Sequence, residues 1–189
     1  MNSGILEFIK AAVKDPKSVS TVFPTMRFLA QALVDNSELN SKQSVVELGC
    51  GTGAITKYIL NVAHPQSYLG VELSTDLVSF LNETYPQSKF IAQSAHDLSG
   101  HVADASVDVV IASLPWTMLP RDLQEAIARE ILRILKPGGK FTTFICVHAL
   151  AYPGASRVQK LFRNHFSEFE YCETISRNIP PANVYLGIK

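Results

Sequence analysis

Apolar positions recur at helical spacing over the first forty residues and in strand–helix alternation after them. In residues 4–14, Ile5, Leu6, Ile9, Ala12 and Val13 share one face, with Glu7, Lys10 and Lys14 off it. That pattern predicts a short amphipathic helix, closed by Asp15-Pro16. Residues 18–24 read as a loop or a second short element. A stronger helix is predicted over 25–35, carrying Phe28, Leu29, Ala32 and Leu33 at helical spacing. Short apolar runs then predict strands at 44–48, 68–72, 89–92, 107–112 and 140–147. Between them the periodicity predicts helices at 54–63, 75–84 (capped by Ser74) and 121–135. Pro137-Gly138-Gly139 is expected to break the last of these. A further helix near 155–165 and strands near 168–176 and 183–188 complete the pattern.

Strand–helix alternation predicts an α/β fold: a mostly parallel sheet with helices on both faces, binding its ligand at the carboxyl ends of the strands. Residues 43–189 form that domain, and residues 1–42 form a helical N-terminal extension or lid. A chain of 189 residues suits one such domain. The 17 basic and 17 acidic side chains cancel. No nucleic-acid partner is therefore expected, since gripping a phosphate backbone usually takes a basic surplus. Cys50, Cys146 and Cys172 lack metal-type spacing, so no metal is expected and a reducing, cytoplasmic location is. The N-terminus lacks the pattern of a secretion signal. No apolar run approaches the roughly 20 residues that span a bilayer, so any membrane contact is peripheral. Oligomeric state is not legible.

Candidate chemistry begins at Glu47-Leu48-Gly49-Cys50-Gly51-Thr52-Gly53. Glycines between a strand and a helix allow a tight turn and close approach of a ligand to the backbone. The G-x-G-x-G spacing differs from the dinucleotide fingerprint and lacks a phosphate-loop lysine. Glu47 would sit poorly beside a pyrophosphate but suits a ligand with a cationic amino-acid portion. Glu72 closes the next strand, 19 residues after Gly53, where a carboxylate can accept both ribose hydroxyls.

Residues 45–53, followed by Val71-Glu72-Leu73-Ser74, resemble the first two motifs of class I S-adenosylmethionine-dependent methyltransferases. The resemblance implies a Rossmann-like, seven-stranded sheet with an antiparallel last strand, and S-adenosylmethionine as cofactor. The implied cofactor contacts are Glu47, Gly49, Cys50, Gly51, Gly53, Glu72 and Leu73. It also implies adenine contacts from Ser94, Ala95 and His96, with Ser94 where an acid is common. Ser113-Leu114-Pro115-Trp116, after the fourth strand, then faces the methyl group, with Ser113 and Leu114 at the cofactor. An aromatic face suits an amine acceptor, whose positive charge develops during attack. Trp116 is a candidate for that face or for packing, and His148 and Tyr185 are candidate acceptor-site residues.

Phe23-Pro24-Thr25, Leu114-Pro115-Trp116 and Asn178-Ile179-Pro180-Pro181-Ala182-Asn183-Val184-Tyr185 together resemble the soluble bacterial phospholipid N-methyltransferases. The departures are Thr25-Met26 where paired serines are usual and Asn183 where an aromatic is usual. This resemblance implies a cofactor contact from Thr25 and methylation of a lipid head-group amine. It further implies peripheral docking of residues 4–14 on anionic membrane at the inner face. Three rival readings share the cofactor motifs: a small-molecule N- or O-methyltransferase, an RNA adenine dimethyltransferase, and a non-catalytic cofactor-binding protein.

Overall fold

The structure is a computed structural model that describes residues 26–189. The predicted helix at 4–14, the segment at 18–24 and Thr25 lie outside the described residues. Helix α1 spans Met26–Ser37. It is followed by β1 (Ser44–Leu48), α2 (Ala54–Tyr58), β2 (Ser67–Glu72), α3 (Thr75–Thr84), β3 (Lys89–Ala92) and β4 (Val107–Ala112). The chain continues through α4 (Arg121–Ile134), β5 (Leu135–Cys146), α5 (Pro153–His165), β6 (Glu168–Ile175) and β7 (Ala182–Ile188).

The seven strands form one sheet in the order β3-β2-β1-β4-β5-β7-β6. The β1, β2, β3, β4 and β5 neighbours pair in parallel, and β7 runs antiparallel to both β5 and β6. The strand order reverses between β1 and β4, which opens a crevice beyond their carboxyl ends. The glycine turn leaves β1 there, and the 113–116 loop leaves β4 beside it.

Alternation along the central strands feeds two cores. Val46, Leu48, Val110, Ala112 and Phe141 pack under Ile127, Ile131 and Ile134 of α4 and Val158 and Phe162 of α5. Val45, Val109, Ile111 and Val184 face Leu29 and Leu33 of α1 and Ile55 of α2. Because both faces are covered, β4 reads as a continuous apolar run. Its one exception, Asp108, accepts from Ser44 Oγ at 2.7 Å and from Lys136 Nζ at 2.7 Å at the amino end of the sheet.

Two segments depart from the expected pattern. The helix predicted over 54–63 is α-helical only to Tyr58; Ile59–Ala63 widens into a π-helical turn, ended by His64 in the left-handed region (φ 46°). The Pro137-Gly138-Gly139 segment does not separate α4 from a later strand. Strand β5 starts at Leu135, directly after the helix. Gly138 N donates to Lys189 O, and Lys189 N donates to Gly139 O, both at 3.0 Å. The far end of the chain thus draws this flexible segment into the sheet. Ser74 caps α3 as predicted, accepting from Leu77 N at 3.4 Å.

Candidate active site

The glycine turn is held from both sides. Gly49 N donates to Val71 O at 2.8 Å, and Ser113 N donates to Leu48 O at 2.8 Å. Gly49 has φ 80°, and a Cβ there would stand 2.7 Å from the Ser113 carbonyl oxygen. Any side chain at 49 would drive the β1 and β4 loops apart. Gly51 also has positive φ (55°), yet nothing lies within 4 Å of the place a Cβ would occupy. The turn therefore shows bare backbone to open space, as a closely approaching ligand requires.

Glu72 bridges this turn to the next. Its Oε2 accepts from Gly51 N at 2.9 Å, and its Oε1 accepts from Leu73 N at 2.8 Å and Ser74 N at 3.0 Å. Leu73 follows, 58% exposed, an apolar platform beside the carboxylate. Gln93 N donates to Glu72 O at 3.0 Å and brings the 93–97 loop alongside. In that loop Ser94 Oγ and His96 Nδ1 are hydrogen-bonded at 2.6 Å, and Ala95 is half-buried between them. The structure thus gathers Gly49, Gly51, Glu72, Leu73, Ser94, Ala95, His96, Ser113 and Leu114 around one crevice.

Glu47 and Cys50 sit lower. Glu47 is completely buried; its Oε2 accepts from Tyr68 OH at 2.6 Å and Thr56 Oγ1 at 2.7 Å, while Oε1 has no partner. The Cys50 sulfur lies 3.7 Å from Tyr68 OH. Burial pushes the Glu47 carboxyl up from its usual 4.5 to about 7, against the lowering pull of Tyr68 and Thr56, and it pushes the Cys50 thiol up as well. Glu47 therefore braces the floor of the turn, with its unpaired Oε1 left as an acceptor. Tyr68 and Thr56 were not candidate residues, because only the fold brings β2 and α2 onto Glu47.

A raised carboxyl pKa in the fold makes folding take up a proton between about pH 4.5 and 7. Stability then falls as pH rises through that window, by about 3 kcal/mol from this group. In Glu47→Gln, that share of the pH dependence should vanish when thermal unfolding is followed across the window. Identical slopes in both proteins would show that the buried carboxyl does not titrate there.

The three residues proposed for the acceptor side separate. Trp116 is 1% exposed. Phe162 and Phe141 meet its ring edge-to-face at centroid distances of 5.0 and 6.4 Å, and Nε1 donates to Thr143 Oγ1 at 2.7 Å. Its carbonyl accepts from Gln124 Nε2 at 2.6 Å. Of the two roles read from the sequence, packing is the one this geometry fits, since the ring offers no open face. Tyr185 is 4% exposed, stacked on Phe169 and bonded through its OH to Gln159 Nε2 at 3.2 Å. It pairs with Thr143, three residues below the Cys146–Ala182 rim, about 10 Å from the mouth. The tyrosine is thus a core residue, not a mouth residue. His148 is exposed in the short helical turn Val147–Ala151, at the mouth. The structure adds Asn178 to this side. It is 2% exposed, its Nδ2 donates to Pro180 O at 2.7 Å, and its Oδ1 has no partner.

Two other clefts lie away from this crevice. One of about 290 Å³ opens between α1 and β6, past Phe28, Asp35 and Glu173. One of about 240 Å³ opens at the amino ends of β1 and β2. Neither touches the glycine turn. Among the described residues, no group of His, Cys, Asp and Glu could hold a metal ion, and no helix is long and apolar enough to cross a membrane.

The residues at the crevice fit S-adenosylmethionine. Gly51 leaves room at the backbone, Glu72 supplies a carboxylate, Leu73 supplies an apolar face, and the unpaired Glu47 Oε1 remains below the turn. Comparison with known proteins agrees. A family described as a methyltransferase domain matches residues 45–139, half of the chain. The ornithine lipid N-methyltransferase of Singulisphaera acidiphila is 28% identical, over 96% of this chain and 95% of its own. A ribosomal RNA small subunit methyltransferase A of Maridesulfovibrio salexigens is 30% identical over 60% of this chain, which spans 43% of that protein. Among solved structures, the Burkholderia thailandensis 1,6-didemethyltoxoflavin-N1-methyltransferase, with bound S-adenosylhomocysteine, superposes with a TM-score of 0.72 at 18% identity. The match covers 99% of this chain and 88% of that one. With the glycine turn, the strand-end acid and the family match in agreement, the chain belongs to the methyltransferase-domain family and is a class I S-adenosylmethionine-dependent methyltransferase.

Proposed function

We propose that this enzyme transfers methyl groups to the amine of a lipid head group, acting peripherally at the inner face of the membrane. The observation that carries this reading is end-to-end similarity to an ornithine lipid N-methyltransferase, which extends over both chains. The ribosomal RNA methyltransferase relatives are matched over only 43% and 69% of their own length.

In this reading Gly49, Gly51, Gly53 and Cys50 would shape the cofactor cradle, and the Glu72 carboxylate, held by the Gly51, Leu73 and Ser74 N–H groups, would accept from the ribose hydroxyls. Leu73, Ser94, Ala95 and His96 would flank the adenine. Bound S-adenosylmethionine supplies an electrophilic methyl group on a sulfonium. The chain's own task is to deliver a neutral amine in line and shield it from water. Ser113 and Leu114 form the wall between cofactor and acceptor. Trp116, clamped by Thr143 and Gln124, fixes that wall rather than touching the amine. His148, exposed in the turn after β5, would take the proton that the methylated amine sheds. Thr25 and the 4–14 segment belong to the same reading as cofactor contact and membrane anchor.

Incubation with methyl-labelled cofactor and a bacterial lipid extract tests the reading. Label is expected in an aminolipid, either phosphatidylethanolamine or an ornithine-type lipid. Turnover of the cofactor with no label in any amine-bearing lipid would refute it.

A further inference from the structure

Seven large apolar side chains are strongly exposed among the described residues, and five of them crown the carboxyl end of the sheet: Leu73, Met118, Val147, Tyr152 and Ile179. Scattered exposed apolar residues need no explanation. These are not scattered. Met118 ends the turn Trp116–Met118 after β4. Tyr152 precedes α5, whose Gly154 lies directly against the Thr117 carbonyl, so the two segments adjoin. Val147 N donates to Pro181 O at 2.8 Å, which ties the end of β5 to the loop carrying Ile179. Met118, Tyr152, Val147 and Ile179 therefore follow one another around the acceptor side of the crevice, at exposures of 48, 57, 40 and 66%.

The segments that build this arc, residues 113–122, 147–157 and 176–181, carry three arginines, Arg121, Arg157 and Arg177, against one carboxylate, Asp122. Arg121 is bridged to Glu125 at 2.8 Å, and Arg177 lies over the Phe28 ring beside Arg27. Apolar tips with a tyrosine, backed by arginines, match an anionic lipid surface: tips enter the acyl boundary, tyrosine sits at the interface and guanidinium groups remain among phosphates.

We propose that the arc Met118–Val147–Tyr152–Ile179 seats the mouth of the active site against anionic membrane. This inference rests on the lipid-amine reading above. A head-group amine can then enter the crevice while its acyl chains stay in the bilayer, avoiding the cost of drawing each methylene into water. The arc is built from residues 118–179, and its role is to orient the catalytic mouth on the membrane.

The test compares full-length wild type, the double variant Tyr152→Asp/Ile179→Asp, and Val62→Asp. Val62 is also 54% exposed but follows α2 at the other end of the sheet. Binding to phosphatidylglycerol–phosphatidylethanolamine vesicles is read by sedimentation, with S-adenosylhomocysteine affinity as the check on folding. The double variant should partition about tenfold or more weakly, as lost apolar insertion and added negative charge predict. Val62→Asp should match wild type, and all three should bind S-adenosylhomocysteine alike. Equal partitioning of the double variant and wild type would overturn the arc. So would a change in oligomeric state without a change in vesicle binding, which would make it a contact between copies. If wild type labels lipid in detergent micelles while the double variant keeps full vesicle binding, only the arc fails. If wild type labels no lipid in micelles either, the lipid-amine reading fails and the arc with it.

Discussion

Replacing Trp116 with alanine is expected to destabilise the fold by about 4 kcal/mol, because a fully buried indole leaves a cavity that its neighbours refill only in part. Phe141 and Phe162 would lose their edge-to-face partner, and Thr143 would lose the donor it holds at 2.7 Å. Thermal unfolding should therefore drop by roughly 10 °C. Trp116→Phe should retain most of the packing and lose about 1 kcal/mol with the indole hydrogen bond. Cofactor affinity in Trp116→Ala should decline alongside turnover, since Leu114 and Ser113 ride on the same loop and Ser113 O packs on Gly49. A variant with wild-type unfolding temperature but lost turnover would restore tryptophan as an acceptor-facing ring.

Glu72→Ala is expected to weaken S-adenosylhomocysteine binding by at least about 100-fold. A carboxylate that accepts two ribose hydroxyls makes charged hydrogen bonds of about 1.5–3 kcal/mol each, and each 1.4 kcal/mol is about tenfold in affinity. The structure adds a second cost. The same carboxylate organises Gly51, Leu73 and Ser74 through their N–H groups, so its loss also loosens both turns. Glu72→Asp keeps the charge but shortens the reach, and should fall between the two. Calorimetric titration with S-adenosylhomocysteine checks the series; affinity within twofold of wild type in Glu72→Ala would rule out the ribose role.

How far the sequence could be read depends on where each signal originates. The glycine turn and Glu72 were legible because their chemistry is local: positive φ, a strand end and a fixed spacing. The strands at 44–48, 89–92 and 107–112 were legible because apolar runs between polar turns have few other uses. Tyr185 was legible as a motif member but not as a core residue, and for Trp116 the sequence left the acceptor face and packing both open. Tyr185 sits on β7, an interior strand covered on both faces, so no alternation marks which side is wet. Trp116 needed Phe141 and Phe162, both more than 20 residues away in sequence. The start of β5 was misread because Pro137-Gly138-Gly139 ordinarily breaks structure; here Lys189, at the far end of the chain, supplies the pairing. The partners of Glu47 were equally invisible, since Thr56 and Tyr68 meet it only after β1, β2 and α2 assemble.

The acceptor is the central question, and one assay addresses it directly. Purified protein, methyl-labelled S-adenosylmethionine and a bacterial lipid extract in detergent micelles are incubated together, and the lipids are separated and identified by mass spectrometry. A lipid head-group amine carrying one or more new methyl groups, with one S-adenosylhomocysteine formed per methyl group transferred, is the expected result. Turnover of the cofactor with no labelled lipid in any amine-bearing class would contradict it.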